Sequence, residues 1–455
     1  MAGSNNTQNV IIVGGGLAGL ASALFLARGG RNVTIFEKRR GLGGRAATHL
    51  RQGYRFNLGA HALYRAGGAA SVYRELGIPL RGGAPKAGGI ALRDGEMFRL
   101  PLRLFSLIAS GLLSVSAKLE LAGLMIRLRR IDPRPFETIS AREWLDTHIS
   151  NADLRQLVEA LIRLATYADN PDAMSAATAI HQLKIGGRGV LYLDEGWQKL
   201  IDALHSAAVS AGVNFVSSSR VVGVGIRDGA VQSVELGGLE VDADRMDTMS
   251  VALPETKPED VAGAPLKAGA VILAVDPITA SELVEDAQIT KTWMAMKPVT
   301  AACLDLALSR LPNPKNTFAL GIDQPYYYSV HSKWAQLTPR GGALIHMVKY
   351  KKEGRGSDDY DDIRGARPNA DEVELEDVLD RLQPGWRDVL VHRRFLPAMT
   401  VTNALVTPSM RRPEPVTPIR GLYIAGDWVG NEGGFLSDAA LTSARAAAKA
   451  ILTAS

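Results

Sequence analysis

The sequence predicts an α/β fold in which a parallel sheet, drawn from distant parts of the chain, alternates with a second domain of α+β character. Three observations carry this. Residues 10–37 read as strand, glycine-rich turn, helix and strand. Residues 422–452 repeat the strand–turn–helix order at the other end. Between them, Ala270–Val275 is an uninterrupted apolar run of the kind that forms a strand buried on both faces, as parallel sheets require.

The first unit runs from Val10-Ile-Ile-Val13 through Gly14 to Gly19, then an Ala/Leu helix to Arg28, then Asn32-Val-Thr-Ile-Phe36 ending at Glu37. This is one βαβ unit of the usual ~30 residues. Residues 100–185 read as mainly helical, with Ser140-Ala-Arg-Glu143 a capping box ahead of Trp144 and Leu145. Strand character returns at 213–241, in Val213–Val216, Val221-Val222 and Val231–Leu236, with Asp228-Gly229 marking a hairpin turn. The polar, glycine-punctuated 351–370 segment predicts a surface loop. The chain then closes with the strand Leu422–Ala425, the turn Gly426-Asp427 and an Ala-rich helix from about Asp438 to Leu452.

At 455 residues, 46% hydrophobic and 22% charged, the composition is that of a globular protein with interleaved domains and excludes a disordered or fibrous chain. Glycine, at 46 residues, exceeds the usual ~7%. The net charge of +5 is spread out without a run of basic residues, so no nucleic-acid partner is expected. The single Cys303 excludes a disulfide framework and any multi-cysteine metal site, and no metal is expected. Val10–Ala27 carries no charge, but glycines interrupt it and residues 2–9 hold no Lys or Arg. Neither a signal peptide nor a membrane span is read there, and a cytoplasmic location is the expectation. Leu104–Ala117 is uncharged for 14 residues, bounded by Arg99 and Arg103 before it and by Lys118, Arg127, Arg129 and Arg130 after it. Too short to span a bilayer, it suits a buried helix first and a helix in peripheral contact with a membrane second.

Gly14-x-Gly16-x-x-Gly19 lies between a strand and a helix, where the first Gly permits the tight turn, the second admits a pyrophosphate to the backbone and the third packs helix on strand. Glu37, 23 residues after Gly14 at the tip of the second strand, is placed to accept the ribose hydroxyls of an adenosine and disfavours a 2′-phosphate. A strand–turn–helix unit at each end of the chain suits one extended dinucleotide held from both sides.

Glu37 is followed by Gly41-Leu-Gly-Gly44-Arg45-Ala-Ala-Thr48 and then by Phe56-Asn-Leu-Gly59-Ala-His61. Here the sequence resembles the FAD-binding superfamily of flavin amine oxidases, phytoene desaturases and protoporphyrinogen oxidases. The matching positions are Gly14, Gly16, Gly19, Glu37, Gly44, Arg45, Gly59 and His61, with Asn57 where the family usually has Asp. The resemblance implies FAD as cofactor and a Rossmann-like FAD-binding domain of the GR2 type over 8–75, 190–275 and 415–455. It implies a substrate domain over 76–189 and 276–414, with a helical part at about 100–185. It adds Leu17, Ala18, Lys38 and Ala60 to the cofactor site, Val221 as a backbone contact to adenine, and Gly426 and Asp427 of the Gly421–Asp427 run near the ribityl and pyrophosphate. Leu436 and Asp438 complete the set at the start of the last helix, whose N-terminus would stabilise the negative charge of reduced flavin.

Amine oxidases of the superfamily usually carry a Lys soon after the strand that is here Ala270–Val275. The residues that follow, Asp276 to Asp286, hold none, and Lys291 and Lys297 come later as surface charges. The apolar run from Leu100-Pro101 to Leu128, the Ala425–Trp428 turn and Ser437–Arg445 look more like the bacterial phytoene-desaturase-like branch. The expected activity is therefore FAD-dependent removal of hydride from a C–H bond of a mainly apolar small molecule. An amine or amino-acid oxidase producing H2O2 is the alternative, and a flavin-binding protein without activity, suggested by Asn57, is the second. Four residues are candidates at the reacting centre. His61 is read first as a structural hydrogen-bonding group and second as a proton carrier. Tyr328 and His331, in the Tyr326-Tyr-Tyr328 region, are read equally as cavity lining and as strand residues. Trp428 is a candidate aromatic wall beside the flavin. Cys303 is expected to be an inert core thiol.

Overall fold

The computed structural model describes residues 9–102, 104–237, 265–352, 369–408, 410–430 and 434–454. The loop expected at 351–370 lies, from 353 to 368, outside the described residues.

The parallel sheet has five strands in the order Asn214–Val216, Asn32–Phe36, Asn9–Val13, Ala270–Leu273, Leu422–Ile424. All four pairings are parallel, with Val10 opposite Val33 on one side and opposite Ala270 on the other. Alternation along each strand divides the sheet's two faces. Val10, Ile12, Val33, Ile35, Ala270 and Ile272 pack under the helices Leu17–Arg28, Gln198–Ser210 and Ser437–Thr453. Ile11, Val13, Phe36, Val271, Leu273 and Ile424 pack under the hairpin Val221–Arg227 and Ala230–Leu236 together with Trp293 and Trp428. Both faces are covered, so the inner strands read as unbroken apolar runs over Val10–Val13 and Ala270–Leu273 rather than alternating ones.

A seven-stranded sheet follows the order Leu390–Thr402, Val299–Leu308, Ala343–Tyr350, Tyr326–Val330, Phe318–Gly321, Ile90–Arg93, Glu96–Arg99. It is antiparallel except where Phe318–Gly321 runs parallel to Ile90–Arg93. All ten residues of Val299–Leu308 are buried. One face packs on the helices Val115–Arg130, Ala141–His148, Ala152–Thr166 and Ala176–Gly186, and the other on Ala370–Leu382.

The helical character of 100–185 is present, and Ser140 Oγ caps Ala141–His148 by accepting from the Glu143 N–H at 3.1 Å. The uncharged Leu104–Ala117 run is not one helix. It breaks after Leu104–Ala109, where Ser110 Oγ donates to the Arg99 carbonyl at 2.6 Å, and Ser114 Oγ then caps Val115–Arg130 by accepting from Ala117 N–H. Serine side chains that bond locally favour such breaks over helix interior. Among the described residues no helix is long and apolar enough to cross a membrane.

Candidate functional site

The glycine turn after Asn9–Val13 is shaped by contacts that exclude side chains. Gly14 donates to the Phe36 carbonyl at 2.8 Å with φ +106°, and a Cβ there would lie 2.6 Å from the Ala274 carbonyl oxygen. A Cβ on Gly19 would lie 1.9 Å from the Gly14 carbonyl oxygen, so helix and strand approach as closely as backbone allows. Gly16 and Gly44 differ: a Cβ on either would meet nothing closer than 3.9 Å, because both border an open cleft. Leu17 and Ala18, the first residues of the helix, also line it, and the N-cap Gly16 brings no side chain. The helix start therefore offers backbone N–H groups and its positive dipole end to an anion.

Glu37 ties the second strand to this turn. Its Oε2 accepts from Gly15 N–H at 2.8 Å and its Oε1 from Arg39 N–H at 2.9 Å, which leaves carboxylate lone pairs for a ligand hydroxyl. Across the cleft, Arg45 Nη1 donates to Asp427 Oδ2 at 2.8 Å and to the Val401 carbonyl at 3.2 Å. Asp427 also accepts from the Asn403 N–H and Nδ2, both at 3.0 Å. Burial pushes the Asp427 carboxyl up, but Arg45 and the hydrogen bonds outweigh it and hold it below its ordinary value, so it is an anion at neutral pH. The Gly426 N–H donates to Ser443 Oγ at 3.0 Å, which fixes the last turn to the last helix.

One cleft thus gathers Gly14, Gly16, Leu17, Ala18, Glu37, Lys38, Gly44, Arg45, Ala60, His61, Val221, Gly426, Asp427 and Leu436 from five separate stretches of the chain. Its cavity volume is about 290 Å3, near the lower end of the ~300–1,000 Å3 of an ordinary small-molecule pocket, and it opens to solvent. A glycine cradle at a helix start, a carboxylate at a strand tip and a long trough between them fit an extended dinucleotide. Leu436, a non-glycine residue at φ +56°, marks the rim with the kind of backbone strain that concentrates at ligand sites.

Gly19 and Gly59 stand one layer behind the cleft. Gly59, at φ +85°, leaves no room for a Cβ against Met399 Sδ. His61 lines the cleft with its ring nitrogens 3.0 Å from the Gly59 carbonyl and 3.2 Å from the Arg45 carbonyl. Burial lowers its pKa to about 4, so the ring is neutral at pH 7, and its single N–H donates to one of these two carbonyls.

Four expected site residues are elsewhere. Trp428 is fully buried on the far side of the sheet, with Nε1 donating to the Val275 carbonyl at 2.9 Å and its ring edge-on to Trp293. The apolar layer under the hairpin, rather than the cleft, claims this ring. Tyr328 points to the sheet face covered by Ala370–Leu382, where its hydroxyl donates to the Asn316 carbonyl and accepts from Gln383 Nε2. Adjacent strand residues face opposite ways, so Tyr327 takes the other face. His331 stacks on Tyr192 at 3.9 Å and accepts or donates through Nε2 to the Tyr327 hydroxyl, buried away from the cleft. Asp438 is turned from the cleft towards the start of Gly68–Glu75, where Oδ1 accepts from Ala69 N–H at 2.8 Å.

Sequence reasoning missed Arg39, Tyr167, Ser219, Arg220, Asp276, Thr279, Met399 and Asn403, all of which line the cleft. Asp276 had a local signal: as an N-cap before Pro277 it accepts from Thr279 N–H at 2.9 Å. Tyr167, whose hydroxyl donates to the Ala60 carbonyl at 3.0 Å, and Asn403 had none, because their contacts cross more than 20 residues of chain. Cys303 is a fully buried thiol held protonated by burial and by Asp305. Lys291 and Lys297 are exposed. Asn57 Oδ1 accepts from Thr48 Oγ1 at 2.7 Å and Trp197 N–H at 3.0 Å, bonds that an Asp would accept equally.

Among relatives of known activity, the chain is 44% identical over 71 residues to a 4,4'-diapolycopen-4-al dehydrogenase of Metabacillus indicus, covering 16% of this chain and 14% of that one. It is 38% identical over 81 residues to a phytoene desaturase of Neurospora crassa, covering 18% and 14% respectively. The matched stretch is thus about one seventh of each relative's length. An oxidoreductase from Methanosarcina mazei has the same fold over nearly the whole chain, with a TM-score of 0.71 at 19% identity, covering 97% of this chain and 100% of that one. The family model described as flavin containing amine oxidoreductase matches residues 17–296, more than half of the chain. With the cleft and its glycine cradle in place, FAD is the cofactor, and the chain belongs to the flavin containing amine oxidoreductase family.

Proposed function

We propose that the chain is an FAD-dependent dehydrogenase or desaturase that passes a hydride from one carbon of a mainly apolar small molecule to FAD, while the proton of the neighbouring carbon leaves to solvent water at the open mouth of the cleft and a C=C bond remains. The observation that carries this reading is the apolar part of the cleft lining. It comprises Leu58, Ala60, Ala62, Met399, Val401 and Leu436 with the Tyr167 ring, beside the polar Arg45, Thr400, Asn403 and Asp427, and Lys38 is the one lysine lining the cleft among the described residues. Such apolar residues orient an apolar chain by shape rather than by charge.

In this reading Gly14–Gly16 and the start of Leu17–Arg28 bind the pyrophosphate, Glu37 the adenosine ribose, Val221 the adenine edge, and Arg45 with Asp427 and Gly426 the ribityl end. FAD bound there supplies the hydride acceptor. Met399 and Tyr167 press the substrate against that acceptor, and His61, neutral and donating its one N–H to a carbonyl, holds the floor rather than moving a proton. The discontinuous division into a cofactor domain (8–75, 190–275, 415–455) and a substrate domain (76–189, 276–414) belongs to the same proposal.

A membrane as the source of substrate is part of it. Ile108, Val115, Leu119 and Ile126 project into solvent from Leu104–Ala109 and Val115–Arg130, each more than 60% exposed, beside the exposed Arg127, Arg129 and Arg130. Apolar side chains ringed by cations suit the interface of an anionic bilayer.

The test is anaerobic reduction of the purified yellow protein by an apolar polyene precursor presented in vesicles. Bleaching by the polyene with none by simple primary amines supports the reading, and brisk peroxide release with amines in air overturns it. The amine-oxidase alternative draws on the family's description. The reading of an inactive flavin protein loses its support, since Asn57 serves as a packing acceptor.

A further inference from the structure

Beneath the cleft lies a cluster of charges that the reaction above does not use. Asp305 is fully buried at the centre of Val299–Leu308, opposite His346 on one neighbouring strand and Arg394 on the other. Its Oδ1 accepts from His346 Nδ1 at 2.5 Å and Cys303 Sγ at 3.1 Å, and its Oδ2 accepts from Arg394 Nε at 3.2 Å and from Nη2. Cys303, Asp305 and His346 bring their ligand atoms within 4.8 Å of one another. Arg394 already supplies a cation to Asp305, and the Cys303 thiol and His346 Nδ1 donate to the same carboxylate, so the cluster is an ion-pair network rather than a metal centre.

A buried ion pair is rarely there for stability, because well-packed apolar residues of the same volume do as well or better. This one is connected to the cofactor site. Arg394 Nη2 also donates to the Asn57 carbonyl, and its guanidinium lies over the Phe56 ring at 5.2 Å. Asn57 leads directly into Leu58–His61, the floor of the cleft, and the Cys303 sulfur sits against Gly59, 3.7 Å from where a Cβ would be. We propose that Asp305 and Arg394 are positioning residues for the flavin: they fix the height of the Leu58–His61 floor and set the electric field beneath it, and through that field the cofactor's reduction potential. This rests on the FAD reading above.

The field has a sign. Reduction of the flavin creates negative charge, so removing the Asp305 charge leaves Arg394 to favour the reduced form, and removing the Arg394 charge does the reverse. Asp305→Asn and Arg394→Gln, purified as holoproteins, are compared with wild type by redox titration against reference dyes, with thermal melting alongside. Asp305→Asn is expected to raise the midpoint potential by about tenfold in the reduction equilibrium, roughly 30 mV for a two-electron couple. Arg394→Gln is expected to lower it, and Arg394→Lys to stay within threefold of wild type. A structural staple would change melting alone, or move both variants' potentials in one direction, and either outcome overturns the proposal. If neither charge-removing variant accumulates folded, the cluster is structural and the proposal falls. A colourless wild-type protein would instead refute the FAD reading.

Discussion

Asp438 sits where a carboxylate is least comfortable. It is fully buried at the start of Ser437–Thr453, it makes one hydrogen bond, to Ala69 N–H, and its second oxygen has no partner among the described residues. Burial raises its pKa to about 6, the Ala69 bond offsetting only part of the rise. Relative to an ordinary carboxyl near 3.9, this favours the protonated over the ionised form by about 3 kcal/mol at 1.36 kcal/mol per pH unit. Below about pH 4 the group is protonated in both folded and unfolded chains and has no effect. Between pH 4 and 6 the unfolded chain ionises first, so the folded state loses about 3 kcal/mol of relative stability as pH rises, and the loss stays constant above. Asp438→Asn keeps an acceptor for Ala69 and removes the ionisation. At about 2.1 cal/mol/K per residue, 455 residues unfold with an entropy near 1 kcal/mol/K, so 3 kcal/mol is worth roughly 3 °C. Melting of the two holoproteins from pH 4 to 7.5 should show the variant gaining about 3 °C on wild type across that range, with flavin absorbance unchanged. A difference that does not vary with pH, or one that turns against the variant at neutral pH, refutes the reasoning.

Glu37→Ala removes the acceptor for two backbone N–H groups at the glycine turn and should weaken FAD binding at least tenfold, read by titrating apoprotein with FAD. Trp428→Phe breaks the bond to the Val275 carbonyl and should cost about 1–3 kcal/mol of stability in denaturant melts while leaving the flavin spectrum as in wild type. Leu119→Asp combined with Ile126→Asp should abolish co-sedimentation with anionic vesicles at low salt without lowering the melting temperature, because both side chains face solvent.

The parts of the site that were legible in the sequence are those in which function is dictated by backbone within a few residues. Gly14, Gly16, Gly19 and Glu37 stand in one βαβ unit whose geometry admits few alternatives, so spacing alone placed them. The parts that were not legible depend on which side of a sheet a residue faces. Trp428 follows Asp427 directly, yet Asp427 turns to Arg45 while Trp428 turns to Trp293, a choice made by the hairpin packed on the far face. Tyr327 and Tyr328 divide between two cores for the same reason, and the register with Ala343–Tyr350 that decides it is a pairing across some 20 residues. Asp438 looked like a ligand because it opens a helix, but the neighbour that uses it, Ala69, lies 369 residues away in sequence.

The order of strands in the parallel sheet also bears on how the protein is made. Ala270–Leu273, the inner neighbour of Asn9–Val13, emerges from the ribosome some 260 residues after it, and the outermost strand Leu422–Ile424 some 150 residues after that. At roughly 5–20 residues per second, the first strand waits tens of seconds for the sheet to close. During that interval the nascent chain presents an apolar strand with an unsatisfied edge, and the cradle has no far wall, since Asp427 and the Gly426–Ser443 bond are not yet synthesised. The glycine cradle therefore gains the wall that carries Asp427 only after some 400 further residues have been made.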